Sequence, residues 1–226
     1  MQLHRNPGKR ADLDVDHARR LRRGRRTWNV LASVVPRRLG EGPGEPLRAL
    51  VLERLQLRPG ESVLDVGCGA GALLLQMWEK VGPDGRVVGV DVSSRMLARA
   101  RRLLTRAGAA DVELVTADAS RDPLGAGEFD AAVATASLSA TPDPHRAVAN
   151  IYQALRGGGR LFVFDVRLRL GQGRRRHLVR IARWVYGQVA GFTGEDVLAA
   201  LQETFDEVEI VGAGDWLVLA VARKGV

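Results

Sequence analysis

The stretch Val63-Leu64-Asp65-Val66-Gly67-Cys68-Gly69-Ala70-Gly71 constrains the fold more than any other part of this chain. A short apolar run enters a glycine-rich loop, and a segment with helical spacing follows at once, over 72–81. Glycines in such a loop accept positive φ and let the backbone approach a ligand closely. The first N–H groups of the following helix remain unpaired. The pattern therefore predicts a ligand site where a strand passes into a helix, and Gly67, Gly69 and Ala72 also fit a dinucleotide loop.

Apolar runs and helical segments alternate along the rest of the chain. We predict strands over 62–66, 86–91, 112–116, 129–135 and 160–165, and helices over 47–57, 72–81, 93–107, 147–155 and 194–204. Two last strands, 207–211 and 216–222, are separated by only four residues, which predicts an antiparallel pair. The expected fold is α/β, a Rossmann-like doubly wound sheet of seven mostly parallel strands with an antiparallel C-terminal strand pair.

Positive charge is concentrated in two segments. The formal net charge is +8, and residues 1–38 hold 11 basic and 3 acidic side chains. Residues 167–183 carry seven arginines and no acid. A glycine- and proline-rich break over 40–46 predicts a boundary. We expect residues 1–45 to form a basic tail and helical segment that caps the substrate, and 46–226 to form the ligand-binding domain, with 167–193 as a basic lid insertion.

Composition excludes several classes of site. Cys68 is the single cysteine, which excludes an intrachain disulfide and a multi-cysteine metal site. No apolar run approaches the roughly 18 residues of a membrane span, and the polar N-terminus has no leader pattern. We expect a cytoplasmic protein without a metal. Cys68 itself fits a buried inert thiol better than a nucleophile.

Acidic residues end or follow three successive predicted strands. Asp65 lies two residues before the first glycine, where a carboxylate would repel a pyrophosphate but would suit an ammonium group. Asp91 ends the second strand, where it can accept hydrogen bonds from ribose hydroxyls. Asp118 follows the third strand and can reach an adenine amino group. Together they indicate a ligand with an amine, a ribose and an adenine, and they argue against a nicotinamide oxidoreductase.

With these residues in register, residues 47–222 resemble the class I S-adenosylmethionine-dependent methyltransferases, of the small ubiquinone/menaquinone-biosynthesis-like type. The matching motifs are Val63–Gly71, Val87–Ser93 with Met96 and Leu97, Thr116–Ala119, Phe129–Leu138 and Ala154–Asp165. The resemblance implies S-adenosyl-L-methionine as cofactor, S-adenosyl-L-homocysteine as product and no metal. It places the cofactor on Asp65, Gly67, Cys68, Gly69, Gly71, Asp91, Val92, Met96, Asp118, Ala119, Thr135 and Ala136. Met96 fits an adenine platform and ordinary core packing equally well.

The acceptor side departs from the family pattern. The fourth motif, Ala134–Ser139, lacks the Asn-Pro-Pro-Tyr-type signature of nucleic-acid amino methyltransferases and the histidine that many relatives carry near Ser139. We expect a small-molecule or lipid-like acceptor, methylated by direct in-line displacement. Its pocket is expected to include Trp28, Leu138, Trp184 and Tyr186. No catalytic residue is assigned, and His177 is the one candidate base.

Three alternatives remain open at this stage. An RNA methyltransferase would use the arginine-rich segments and would bind RNA with a steep salt dependence. A non-catalytic S-adenosylmethionine-binding module would retain the cofactor site without turnover. A nicotinamide oxidoreductase fits the glycine loop but not Asp65. The basic segments also predict a peripheral membrane contact, and the sequence leaves open whether the protein is a monomer or a homodimer.

Overall fold

The strands form one seven-stranded sheet in the order β3-β2-β1-β4-β5-β7-β6. The computed structural model describes residues 7–34, 44–167, 195–214 and 216–226, with residues 180, 181, 184 and 187. The strands are β1 Ser62–Val66, β2 Arg86–Asp91, β3 Glu113–Thr116, β4 Phe129–Thr135, β5 Leu155–Val166, β6 Glu207–Ala213 and β7 Leu217–Arg223. β1 to β5 are parallel where they pair, and β7 is antiparallel to both β5 and β6. The predicted fold class and its antiparallel C-terminal pair are confirmed.

Helices cover both faces of the sheet. They are α1 Pro7–Val34, α2 Glu45–Leu55, α3 Ala72–Val81, α4 Ser94–Arg106, α5 Pro144–Ala154 and α6 Val197–Thr204, with a 3-10 turn at Leu138–Ala140. One core cluster joins α2, α3 and α4 to one face of the sheet. A second joins α5 and α6 to the opposite face. The central strands are buried on both sides, which is why their sequences read as continuous apolar runs.

The parallel strands bring their carboxyl ends to one edge of the sheet. β1 pairs with β2 on one side and with β4 on the other. β2 and β3 extend the sheet in one direction, and β4 and β5 extend it in the opposite direction. Connections therefore leave β1 and β4 in opposite directions, and a crevice opens between them at this switch point. The glycine loop after Val66 and the loop after Thr135 flank that crevice.

The predicted start of the fifth strand is wrong. We predict a fifth strand from residue 160 with the glycines at 157–159 ending the helix before it, but α5 ends at Ala154 and β5 begins at Leu155. The register against β4 jumps from Leu155 to Arg160, so the glycines form an irregular insertion within the strand. Gly158 has φ +75° and donates its N–H to the carbonyls of Lys224 and Gly225. The C-terminal segment thus provides hydrogen-bond partners for the inserted glycines.

The basic N-terminal segment contains one long helix. We predict a basic tail and a helical segment within residues 1–45, and α1 runs without interruption from Pro7 to Val34 and packs against α4. Residues 35–43, which hold the first part of the predicted break, and most of the predicted lid over 167–193 lie outside the described residues, whereas Glu45 and Pro46 at the end of the break already belong to α2. Within the part of the chain that the structure describes, no helix is long and apolar enough to cross a bilayer.

Candidate functional site

A cleft of about 220 Å³ opens at the carboxyl edge of the sheet, beneath α1. Nine of the twelve residues that we expect to hold a cofactor line this cleft: Gly67, Gly69, Asp91, Val92, Met96, Asp118, Ala119, Thr135 and Ala136. Leu21, Gly24 and Trp28 of α1 form part of the opposite wall. The structure therefore brings the strand ends and the N-terminal helix together around one cavity.

The glycine loop is shaped by close backbone approach. Gly67 has φ +78°, and a Cβ added there would lie 2.3 Å from the Cβ of Ser137. The Ser137 hydroxyl donates a hydrogen bond of 2.7 Å to the carbonyl of Val66. Only glycine combines this φ with so close a neighbour, so the loop after β4 lies directly against the loop after β1.

Asp65, Cys68 and Gly71 lie behind the cleft wall instead of lining it. Gly71, with φ +84°, precedes α3, and a Cβ there would lie 2.8 Å from that of Ala100. Cys68 is a buried free thiol whose Sγ would lie 2.9 Å from a Cβ at Gly89. Burial, with the nearby carboxylates, raises the pKa of this thiol. Close packing therefore accounts for the positions of Cys68 and Gly71.

Asp91 fixes the shape of the cleft floor. Its two carboxylate oxygens accept hydrogen bonds from the backbone N–H groups of Gly69, at 3.0 Å, and Ser93, at 2.7 Å. These bonds join the glycine loop to the start of α4. Burial raises the pKa of Asp91, and the two N–H donors oppose that shift. The carboxylate thus both organises two backbone segments and faces the cavity.

Asp118 is bound by α1. One carboxylate oxygen lies 2.7 Å from Nε2 of His17, and the other accepts the backbone N–H and the hydroxyl of Ser120. Asp14, one turn away on α1, pairs with Arg121 beside Asp118. Sequence reasoning missed His17, although the spacing of residues 17, 21, 24 and 28 indicates one face of a helix. A second cavity, lined in part by His17 and Arg121, adjoins this contact.

Asp65 is a buried carboxyl without a full set of partners. It is 2% exposed, and its Oδ1 has no hydrogen-bond partner among the described residues. Burial, followed by the negative charge of Asp91, raises the pKa of Asp65 from 3.8 to about 7. A buried anion of this kind is stabilised by a positive charge placed next to it. The site therefore offers anionic character behind the glycine loop.

Comparison with known proteins identifies the architecture. Residues 63–159, from the core of β1 into β5, match the family described as methyltransferase domain. This part of the chain is therefore similar to a methyltransferase domain. The match spans the glycine loop, Asp91 and Asp118, so it covers most of the residues that line the cleft.

Several small-molecule methyltransferases are similar to part of this chain. The chain is 34% identical over 116 residues to nocamycin O-methyltransferase of Saccharothrix syringae, covering 51% of this chain and 41% of that protein. It is 32% identical over 118 residues to demethylmenaquinone methyltransferase of Listeria monocytogenes serotype 4a, covering 52% and 50%. The chain thus spans half or less of the length of these two relatives. A solved S-adenosylmethionine-dependent methyltransferase from Aquifex aeolicus shares the fold, at 20% identity and TM-score 0.62, covering 86% of this chain and 97% of that one.

Asp165 is a further carboxylate with a structural role beside the cleft. It lies near the end of β5, is fully buried, and accepts the backbone N–H groups of Ser137, Leu138 and Ser139 together with the Ser139 hydroxyl. Burial raises the pKa of Asp165, and these donors oppose the shift. Asp165 holds the loop after β4 in place at the cleft. Its position near a strand end, like that of Asp65, is the sequence signal that would have found it.

The expected acceptor pocket is only partly assembled by the described residues. Trp28 lines the cleft, as expected. Leu138 does not, because the 3-10 turn that contains it points it into the core, where it is fully buried. Trp184 is 67% exposed and does not line the cleft either. His177 and Tyr186 lie outside the described residues. In the described ranges, no group of three His, Cys, Asp or Glu side chains is placed to hold a metal ion.

Proposed function

We propose that this chain transfers a methyl group from S-adenosyl-L-methionine to a small-molecule or lipid-like acceptor bound in the cleft beneath α1. One observation carries the proposal: carboxylates at the ends of three successive strands, Asp65, Asp91 and Asp118, surround a glycine loop with positive φ at Gly67 and Gly69. The match to the methyltransferase domain family and the small-molecule relatives support it.

The charge of the site fits the proposed cofactor better than a dinucleotide. Asp65 is buried, has an unpaired oxygen and lies close enough to Asp91 for the two charges to interact. A pyrophosphate would add two further negative charges to this place, whereas an ammonium group would compensate the ones present. We assign Asp65 and the backbone of the glycine loop to the amino-acid part of S-adenosylmethionine. The product would be S-adenosyl-L-homocysteine.

Asp91 and Asp118 are assigned to the adenosine part. Asp91 faces the cleft from the end of β2 and would accept ribose hydroxyls, and Met96 lines the cleft one helical turn into α4. Asp118 and Ala119 would meet the adenine edge, where the adenine would compete with His17 for one carboxylate oxygen of Asp118. Thr135 and Ala136 line the side toward the loop after β4.

The chain's own contribution to the reaction is positioning. Bound S-adenosylmethionine supplies an electrophilic methyl group on a sulfonium, whose transfer forms an acceptor–carbon bond and breaks the carbon–sulfur bond. Such a transfer depends on alignment of the reacting atoms. Trp28 and Leu21 supply an apolar wall to the cleft, and Gly24, which is buried, also lines it. The apolar wall favours an acceptor with an apolar body.

Calorimetric titration with S-adenosylmethionine, S-adenosylhomocysteine and NAD tests the cofactor assignment. We expect micromolar binding of both adenosyl ligands to the wild type and loss of binding in Asp91→Ala. Saturable binding of NAD without the adenosyl ligands would overturn the proposal in favour of an oxidoreductase. Binding without turnover across a broad panel of acceptors would favour a non-catalytic binding module.

A further inference from the structure

The solvent side of α4 carries arginines and no acid. Residues 94–106 contain five arginines and no aspartate or glutamate. The buried side chains of the helix are Met96, Leu97, Ala100 and Leu104. Arg95, Arg102 and Arg106 follow one another at helical spacing on the opposite side, and they are exposed, as is Arg101. α4 therefore presents a positively charged strip to solvent.

α1 continues this charge on the side that faces away from the cleft. Val15, Arg19, Arg22, Arg26 and Val30 recur at intervals of three or four residues and are all exposed. These positions form one stripe on the helix. Arginines occupy its centre and valines both of its ends.

The two helices are in contact, and we consider their exposed arginines together. α1 packs against α4, and a 2.6 Å hydrogen bond from the Ser93 hydroxyl to the Asn29 side chain connects α1 to the residue that caps α4. We call the following set the basic face: Arg19, Arg22, Arg26, Arg95, Arg101, Arg102 and Arg106. None of these seven side chains forms an ion pair with a residue in the described ranges. Their charges are therefore available to an external partner.

A cluster of acidic residues lies at the other end of the sheet. Residues 195–209 hold six acidic residues and no lysine or arginine. They include α6 and the start of β6, the edge strand farthest from β3, whereas α4 packs on β2 and β3. A negatively charged surface orients a molecule with such a charge distribution so that the basic face turns toward that surface.

We propose that the basic face docks this protein onto the surface of an anionic lipid bilayer. The apolar residues within it favour lipid over nucleic acid: Val15 is 58% exposed, Val30 61% and Leu103 37%. Arginines that bind anionic headgroups, with apolar side chains between them that enter the interface, are the pattern of a membrane-surface helix. No aromatic side chain of the described residues lies on the basic face to stack on a base, which single-stranded RNA would use.

Docking in this orientation has a consequence for the cleft. α1 turns its arginine stripe outward and its Leu21, Gly24 and Trp28 side toward the cleft. The helix that covers the cavity would then lie against the bilayer. An acceptor with an apolar body, partitioned into that bilayer, would reach the cleft along α1 without crossing bulk water.

Vesicle flotation of the full chain, without S-adenosylmethionine, tests the proposal. We compare phosphatidylcholine vesicles with vesicles that contain phosphatidylglycerol. Each arginine near an anionic surface contributes about 1 kcal/mol, so removing two is expected to weaken partitioning about 30-fold. This loss is expected for Arg19→Ala/Arg22→Ala and for Arg102→Ala/Arg106→Ala. The matched control is Arg58→Ala/Arg223→Ala, which removes the same charge from exposed arginines outside the basic face.

The outcomes separate lipid docking from other uses of the charge. Binding to the anionic vesicles only, with the control variant within about threefold of wild type, supports the proposal. Val15→Ser/Val30→Ser is expected to weaken vesicle binding about tenfold while leaving affinity for a polyanion such as RNA unchanged. Absence of vesicle binding, equal losses in the control, or tight RNA binding without vesicle binding would each overturn it. Because the flotation assay contains no S-adenosylmethionine and measures no turnover, a negative result would leave the proposed methyl transfer unaffected.

Discussion

Replacing Asp65 by asparagine should stabilise the ligand-free protein at alkaline pH. Asp65 is 2% exposed, its Oδ1 has no hydrogen-bond partner among the described residues, and Asp91 adds negative charge nearby. Above its folded-state pKa the carboxyl must be ionised in this environment. Asparagine keeps the size of the side chain and removes the charge, so Asp65→Asn removes that cost.

The magnitude follows from the pKa. Asp65 has an ordinary pKa of 3.8 and a folded-state pKa of about 7. Below pH 3.8 the carboxyl is protonated in both states and costs nothing. Between pH 3.8 and 7 only the unfolded state ionises it, so the stability of the wild type falls as pH rises. The full cost, about 4 kcal/mol at 1.36 kcal/mol per pKa unit, is reached above pH 7.

The assay is urea unfolding of both proteins from pH 4 to pH 8.5. We expect equal free energies of unfolding near pH 4 and an advantage for Asp65→Asn that grows to about 4 kcal/mol at pH 8.5. Asp84→Asn, in an exposed turn, should follow the wild type throughout. Bound S-adenosylmethionine should reduce the difference in unfolding free energy between the two proteins. Its ammonium group compensates the charge of Asp65 in the wild type, whereas the asparagine side chain of the variant has no charge to compensate. Parallel pH profiles for wild type and Asp65→Asn would refute the assignment of an uncompensated buried charge.

Three further predictions address the cleft. Removing the contact at Asp118 by His17→Ala should raise the affinity for S-adenosylhomocysteine about fivefold by calorimetry, since the adenine no longer competes for an occupied oxygen; weaker binding would contradict the competition. Gly67→Ala should cost about 3 kcal/mol in urea unfolding, because it adds steric overlap to a positive φ. Gly108→Ala, which also has positive φ but no neighbour within 4 Å, should cost about 1 kcal/mol, and equal costs would refute the overlap. Cys68 should resist a thiol reagent in the folded protein at pH 8, and labelling within seconds would show it to be accessible.

The central part of the fold was readable from the sequence because its signals are local. β1, β2 and β4 begin and end at the predicted residues, since each is an apolar run bounded by turn-forming or polar residues. The antiparallel end of the sheet followed from the short connection between β6 and β7. The acids at the ends of β1 and β2 were visible because the ends of these strands were predicted correctly. Parallel strands bring their carboxyl ends to one edge of the sheet, so these acids were expected to lie close together.

What the sequence did not predict depends on contacts between distant segments. His17 and Asp118 are 101 residues apart, and nothing local to either indicates that they meet. Leu138 looked like a pocket residue, yet it is buried in a turn whose backbone N–H groups donate hydrogen bonds to the distant Asp165. The predicted start of β5 was wrong because the N–H of Gly158 donates hydrogen bonds to carbonyls near the C-terminus, which lies far from it in sequence. Tertiary partners decided each of these positions.

The three acids that indicated one ligand perform different tasks in the folded protein. Asp91 has both oxygens on backbone N–H groups, so it organises the site whether or not a ligand is present. Asp118 has both oxygens bonded as well, but one of its partners is His17, on a separate helix that also covers the cleft. Asp65 alone keeps a buried oxygen without a partner. Binding energy for a ligand is therefore expected to come chiefly from compensating Asp65, whereas an adenine has to compete with His17 for Asp118. A cationic ligand without adenine should bind weakly but show the pH dependence of Asp65, whereas a neutral adenine nucleoside should not.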